Sequence, residues 1–231
     1  MARYDYSTEL NFTAVYKKYR NEHPAIREAM CLKAEYPAYF AEIREGDLFA
    51  GRIQHGRVGF SIDEWGPTAF AYYCQFEEIE KDLQSGEYSA EERSALTAMC
   101  DFWRTEDTSA RIRNAYPDHM ARSFTSDDWM NDSGIAFPLY RLTGGTPDFH
   151  KLVTLGIPGL YHEVEKLRVQ SRMNGKDEKF YQGMKLAIDV LADVCRFYEK
   201  QARAKALHAA TPEHRSELQT IDSSHLRDVH H

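Results

Sequence analysis

No run of some 18 apolar residues occurs in this sequence, which excludes an apolar membrane-spanning helix. The segment Met1 to Leu10 carries Arg3, Asp5 and Glu9 where a secretory leader needs an apolar centre, so a soluble, cytoplasmic chain is expected. An excess of basic residues is missing too. Lysine and arginine total 29 against 36 acids, a net charge of -7, and the basic residues are interspersed with acids throughout. A general nucleic-acid binder needs a basic face to neutralise phosphates, so that class is excluded, and no membrane partner is expected either. Cysteine is scarce: Cys31, Cys74, Cys100 and Cys195 lie far apart, with no Cys-x-x-Cys and no histidine at metal-ligand spacing. Reduced, mostly buried thiols and no metal site are expected.

The familiar catalytic signatures are also absent. There is no Gly-x-Ser-x-Gly, no Gly-Lys-Ser/Thr phosphate loop and no His-Glu-x-x-His, and His162-Glu163 lacks the second histidine of a zinc site. Gly144-Gly145-Thr146 at a helix start offers backbone N–H groups to an anion, although a plain turn explains it better. Arg141 behind an apolar segment suits a carboxylate clamp or a structural ion pair equally. Glu77, Glu78, Glu80 and the pair Asp127-Asp128 read as solvated faces or capping groups.

What is present is a hydrophobic content of 42% with 14 tyrosines and 12 phenylalanines, enough for a sizeable aromatic-rich core in one large or two small domains. The spacing of Leu10, Val15, Tyr16 and Tyr19 predicts a helix over Ser7 to Arg20. Pro24 opens another whose pattern runs through Ile26, Met30, Ala34, Ala38 and Ile43, kinked or divided at Pro37. Glycines between Asp47 and Phe60 punctuate short apolar pieces that read as a small strand or hairpin. Trp65, Phe70, Tyr72, Tyr73 and Phe76 form a dense aromatic cluster in an expected loop.

Ser89 to Glu92 has capping-box spacing ahead of the stripe Leu96, Met99, Cys100 and Trp103. Two short helices around Pro117 are expected between Arg104 and Trp129, and Ile135 to Tyr140 reads as an edge strand or extended loop. Thr146-Pro147-Asp148 and Thr211-Pro212-Glu213 each supply an N-cap, an N1 proline and an early acid. Leu155 to Leu160 separates the first of these helices from another ending near Met173. From Asp177 to Leu207, Phe180, Met184, Ile188, Leu191, Cys195 and Tyr198 form an expected core-facing seam. Residues 222–231 lack periodicity and read as an irregular tail.

Taken in order, several passages resemble the glycyl radical enzymes, the pyruvate formate-lyase-like family. They are Glu45-Gly46-Asp47-Leu48-Phe49-Ala50-Gly51-Arg52, the stretch Thr146 to Leu160 with its Pro-Asp-aromatic helix start and Leu-Gly turn, the helix carrying Lys179-Phe180-Tyr181-Gln182-Gly183-Met184, and Arg215 to Ile221. The similarity to the dehydratase and lyase branch covers residues 7–221, read as a partial domain spanning 1–221.

That resemblance implies the amino-terminal helical region of a ten-stranded α/β barrel, mainly α with a few short strands. It implies a lyase or dehydratase of anaerobic metabolism acting on a small organic substrate. A stored glycyl radical, installed by a radical SAM activating enzyme, would generate a cysteine thiyl radical that abstracts hydrogen. The family's Gly-Cys-x-Glu and carboxyl-terminal Arg-Val-x-Gly-aromatic motifs are missing here: no cysteine follows a glycine, and Arg57-Val58-Gly59-Phe60 lacks the spacer residue. No catalytic residue is therefore assigned. Phe137, Arg141, Gly145 and Thr146 are the expected substrate-pocket wall, with Gly144 or Gly145 where family members often carry a substrate-touching histidine.

A truncated or frame-disrupted gene product, inactive alone, is the expectation. It would expose helix faces at about 25 cal/mol per Å² of apolar surface, favouring self-association or capture by the rest of the enzyme. The alternatives are a free-standing helical binding or scaffold protein derived from that family, and a self-sufficient enzyme using Arg141 with His150 or His162.

Overall fold

The structure is a computed structural model, and it describes residues 3–47, 51–61, 71–115, 117–121 and 148–229. Helices dominate, as expected: α1 (Ser7–Tyr19), α2 (Pro24–Glu35), α3 (Phe76–Gln84), α4 (Ala90–Glu106), α5 (Thr108–Ala115), α6 (Asp118–Ala121), α7 (Phe149–Met173), α8 (Lys179–Ala206) and α9 (Pro212–Val229). The sheet among the described residues is one antiparallel pair, β1 (Val58–Ser61) and β2 (Ala71–Cys74), in register Val58 to Cys74 and Ser61 to Ala71. The chain divides into two compact units, one of residues 1–14 and 55–146, the other of residues 15–54 and 147–231.

The first unit is built on an aromatic stack. Trp103 of α4 is fully buried, with Phe12 at 5.9 Å on one contact and Tyr72 of β2 at 6.1 Å on another, both near-parallel. Its indole N–H donates to Thr13 Oγ1 at 2.9 Å, and that hydroxyl donates to the Glu9 carbonyl at 2.8 Å, so the buried indole keeps a partner. The predicted stripe Leu96, Met99, Cys100 and Trp103 is buried as a set. The capping box is complete: Ser89 Oγ accepts from the Glu92 N–H, and the Glu92 carboxylate accepts from the Ser89 N–H at 2.8 Å. Two short helices flank Pro117, as its position predicts.

The second unit centres on Ile43, Tyr198, Ala202, Ala206 and Leu218, with Phe40 edge-on to the Tyr198 ring at 5.6 Å. Tyr198 donates its hydroxyl to the Ala41 carbonyl at 2.9 Å, and the Ile43 N–H donates to Gln201 Oε1 at 2.6 Å. These bonds satisfy the backbone of a non-helical segment lying along α8. Helix α2 stops at Glu35, so the helical pattern expected to run on to Ile43 ends at the Tyr36-Pro37 step. Beyond it Phe40 bridges to Ile53, and Ile43 enters the core from non-helical backbone.

Further expectations need correcting. Helix α7 is capped by Asp148, whose carboxylate accepts the Lys151 N–H at 2.9 Å, two residues later than Thr146. The break expected between Leu155 and Leu160 is present at Gly156, where φ of 61° suits glycine alone, with Pro158 just beyond. On α8 the buried positions are Gly183, Val190, Ala192, Tyr198, Ala202 and Ala206, while Phe180 and Met184 of the expected seam are exposed. Tyr198 of that seam is buried and Ile188, Leu191 and Cys195 are half-buried, so the seam departs from expectation at its amino-terminal end, where the small Gly183 is buried instead. Residues 222–229 continue α9 rather than forming an irregular tail: Thr211 Oγ1 caps its start by accepting the His214 N–H, and no glycine or proline follows Pro212 to stop it.

Candidate functional site

Phe137, Arg141, Gly145 and Thr146, the expected pocket wall, lie outside the described residues, as do Asp127 and Asp128. The other sequence candidates are structural. Glu77 and Glu78 occupy the first turn of α3, where acids complement the helix dipole. Glu80 pairs with Arg104 at 2.7 Å. His150 and His162 are exposed on α7, and Glu163 pairs with Lys151 at 2.9 Å. No group of three or more His, Cys, Asp or Glu side chains suited to a metal occurs among the described residues.

The most charged interior place is a carboxylate that sequence reasoning did not single out. Glu9 of α1 is wholly buried in the first unit. Its Oε1 accepts the Tyr4 hydroxyl at 2.6 Å and the Arg57 N–H at 3.0 Å, while Oε2 has no hydrogen-bond partner. The Arg57 guanidinium lies 5.1 Å above the Tyr4 ring and reaches Glu78 at 3.1 Å and Asp82 at 3.8 Å. Tyr6 donates to Asp82 at 2.6 Å. Burial, and then the adjoining carboxylates, push both the Tyr4 and Tyr6 hydroxyls well above the ordinary phenol range. These phenols are fixed hydrogen-bond donors and cannot act as bases near neutral pH. The only sequence signal was the Tyr4, Tyr6, Glu9 cluster at a helix start.

Beside this cluster a cavity of about 410 Å³ is lined by Tyr4, Tyr6, Leu10, Tyr88 and Leu96, with Glu91 and Glu92 among its acidic walls. Arg3 closes over it, its guanidinium 4.9 Å from the Tyr88 ring centre and paired with Glu92. The chain's own cation thus occupies the face that a cationic ligand would use. In the second unit Glu165 takes a two-pronged contact from Arg168, at 2.7 and 3.0 Å, and a third from Lys185 at 2.6 Å, tying α7 to α8. Neither arrangement pairs a nucleophile with a base.

The pyruvate formate lyase-like family model matches residues 3–231. This chain belongs to the pyruvate formate lyase-like family. The resemblance read from the ordered passages is borne out by that match, as is the mainly helical fold. No curated protein matches the chain significantly. Among solved structures, the glycerol-bound B12-independent glycerol dehydratase from Clostridium butyricum is similar, with a TM-score of 0.64 at 16% identity over 94% of this chain. A glycyl radical enzyme from Archaeoglobus fulgidus gives a TM-score of 0.59 at 19% identity over 97%. This chain spans 28% of the first and 29% of the second, less than a third of either. At such identities the likeness is one of fold. The pyruvate formate lyase-like chain has no helix, among its described residues, long and apolar enough to cross a membrane.

The radical chemistry implied by the resemblance does not fit the residues present. Gly59 sits inside the β1–β2 ladder opposite Tyr73, and the neighbouring Arg57 is held by Glu78 and Asp82. None of the four cysteines follows a glycine.

Proposed function

We propose that this chain is the amino-terminal helical region of a glycyl radical lyase or dehydratase and has no activity by itself. The observation that carries this reading is a family match over 3–231 in a chain less than a third as long as its structural relatives and without either radical motif. A small organic substrate is the class supported, since one relative is a glycerol-bound dehydratase. The chain resides in the cytoplasm. Its partner is the remainder of the enzyme, and the radical SAM activating enzyme acts on the full-length assembly.

Apolar exposure supports the reading. In the second unit Val153 is 83% exposed, Met173 81% and Leu207 75%, with Phe149 and Phe180 also more than half exposed. The remaining enzyme is what would cover these side chains. A second reading, a free-standing helical binding or scaffold protein, is favoured by the closed core of each unit around Trp103 and Tyr198.

Two measurements test the proposal. Translating the DNA beyond His231 in all frames should reveal a Gly-Cys-x-Glu and a radical-glycine motif. Anaerobic incubation of the isolated chain with an activating enzyme and S-adenosylmethionine should give no glycyl radical signal by electron paramagnetic resonance. A radical formed on this chain, or catalysis by it alone, would overturn the assignment.

A further inference from the structure

Two thiols meet between β2 and α4 in the first unit. Side chains two residues apart on a strand share a face, so Cys74 points to the same side of β2 as Tyr72. Cys100 and Trp103 lie three apart on α4 and share its buried stripe. Tyr72 already stacks on Trp103 with ring centres at 6.1 Å. The next rung of the same contact makes Cys74 and Cys100 neighbours, both as free thiols. Cys74 is half-buried and open to small solutes, whereas Cys100 is buried.

We propose that Cys74 and Cys100 form a reversible intrachain disulfide when the protein meets a two-electron oxidant of the peroxide class. Hydrogen peroxide transfers one oxygen to one sulfur of the pair, giving a sulfenic acid and one water. The other sulfur then attacks it, the S–S bond forms, the S–O bond breaks, and the departing hydroxide leaves as water with the attacking thiol's proton. Two thiols are oxidised by two electrons, and one peroxide is reduced to two waters. The contact between the two thiols holds Cys100 below the usual range and Cys74 above it, so Cys100 is the more nucleophilic sulfur of the pair. The bond would fasten the β-hairpin to α4 at the end of the aromatic stack.

The test uses the whole chain, reduced, freed of reductant and exposed to hydrogen peroxide. The free thiols should fall from four to two, one linked peptide should join Cys74 to Cys100, and dithiothreitol should restore all four. Cys74→Ser and Cys100→Ser should each abolish the link. Because a serine at 100 lies in the core, the peptide map of the unsubstituted protein carries the decision if that variant fails to fold. Four thiols persisting in folded protein, a link through Cys31 or Cys195, or overoxidation without a link would each overturn the proposal.

Discussion

Gly183 of α8 lies so close to Ala25 of α2 that a Cβ placed on it would come 2.5 Å from the Ala25 carbonyl carbon and 2.6 Å from its Cβ. Backbone cannot retreat as a flexible side chain can. An alanine in a helix interior normally gains about 1 kcal/mol over glycine. Here Gly183→Ala should instead destabilise, because overpacking of a tight contact costs about 1–3 kcal/mol or more and outweighs the propensity gain. Urea unfolding should show a lower midpoint for Gly183→Ala, and a midpoint equal to or above the parent would refute the close approach.

The Trp103 to Thr13 bond yields a second prediction. Thr13→Val keeps the shape but removes the oxygen that accepts the indole N–H and donates to the Glu9 carbonyl. A buried donor left alone costs about 1–3 kcal/mol. The variant should lose that much stability in denaturant, with a change in tryptophan fluorescence reporting the altered indole environment. An unchanged stability would mean that the indole finds another acceptor.

Helix starts were the most legible part of the sequence, because they depend on a few neighbouring residues. The box from Ser89 to Glu92, the cap at Thr211 and the buried stripe of α4 all follow from local spacing. The α8 seam did not, since the large residues Phe180 and Met184 look like core until Gly183 is seen to be where α2 touches. Close helix approach selects small residues, which carry little hydrophobic signal. Ile43 was misread for a related reason: its spacing suits a helix, but the non-helical backbone around it is stabilised by Tyr198 and Gln201, more than 150 residues away in sequence. The burial of Glu9 was invisible because its partner Arg57, 48 residues away, is brought to it only by the fold. The expected pocket wall around Arg141 lies outside the described residues.

Glu165 gives the pH dependence. Hydrogen bonds from Arg168 and then Lys185 lower its pKa from 4.5 to about 2. A carboxylate held more acidic in the folded chain contributes stability that is complete above the unfolded value and is lost as pH falls through the folded one. The contribution should therefore be present above about pH 4.5 and disappear between there and about pH 2. Glu165→Gln should lower thermal stability at pH 7, and the gap to the parent should close on acidification through that window. A gap that stays constant down to pH 2 would show that Glu165 acts through packing rather than charge.

The exposed apolar side chains of the second unit predict how the isolated chain behaves. Val153 and Met173 are nearly as open as in an unfolded peptide, and monomers rarely leave large apolar surface uncovered unless it is used. On the proposed reading, the chain alone should associate with itself through these side chains, and sedimentation should show mass increasing with concentration. Replacing both residues by aspartate adds charge where little side-chain packing is lost, so the double variant should keep its helical circular dichroism and sediment as a monomer. Rigidly monomeric behaviour of the parent at high concentration would mean that these side chains are tolerated singly, and the free-standing scaffold reading would then be the stronger one.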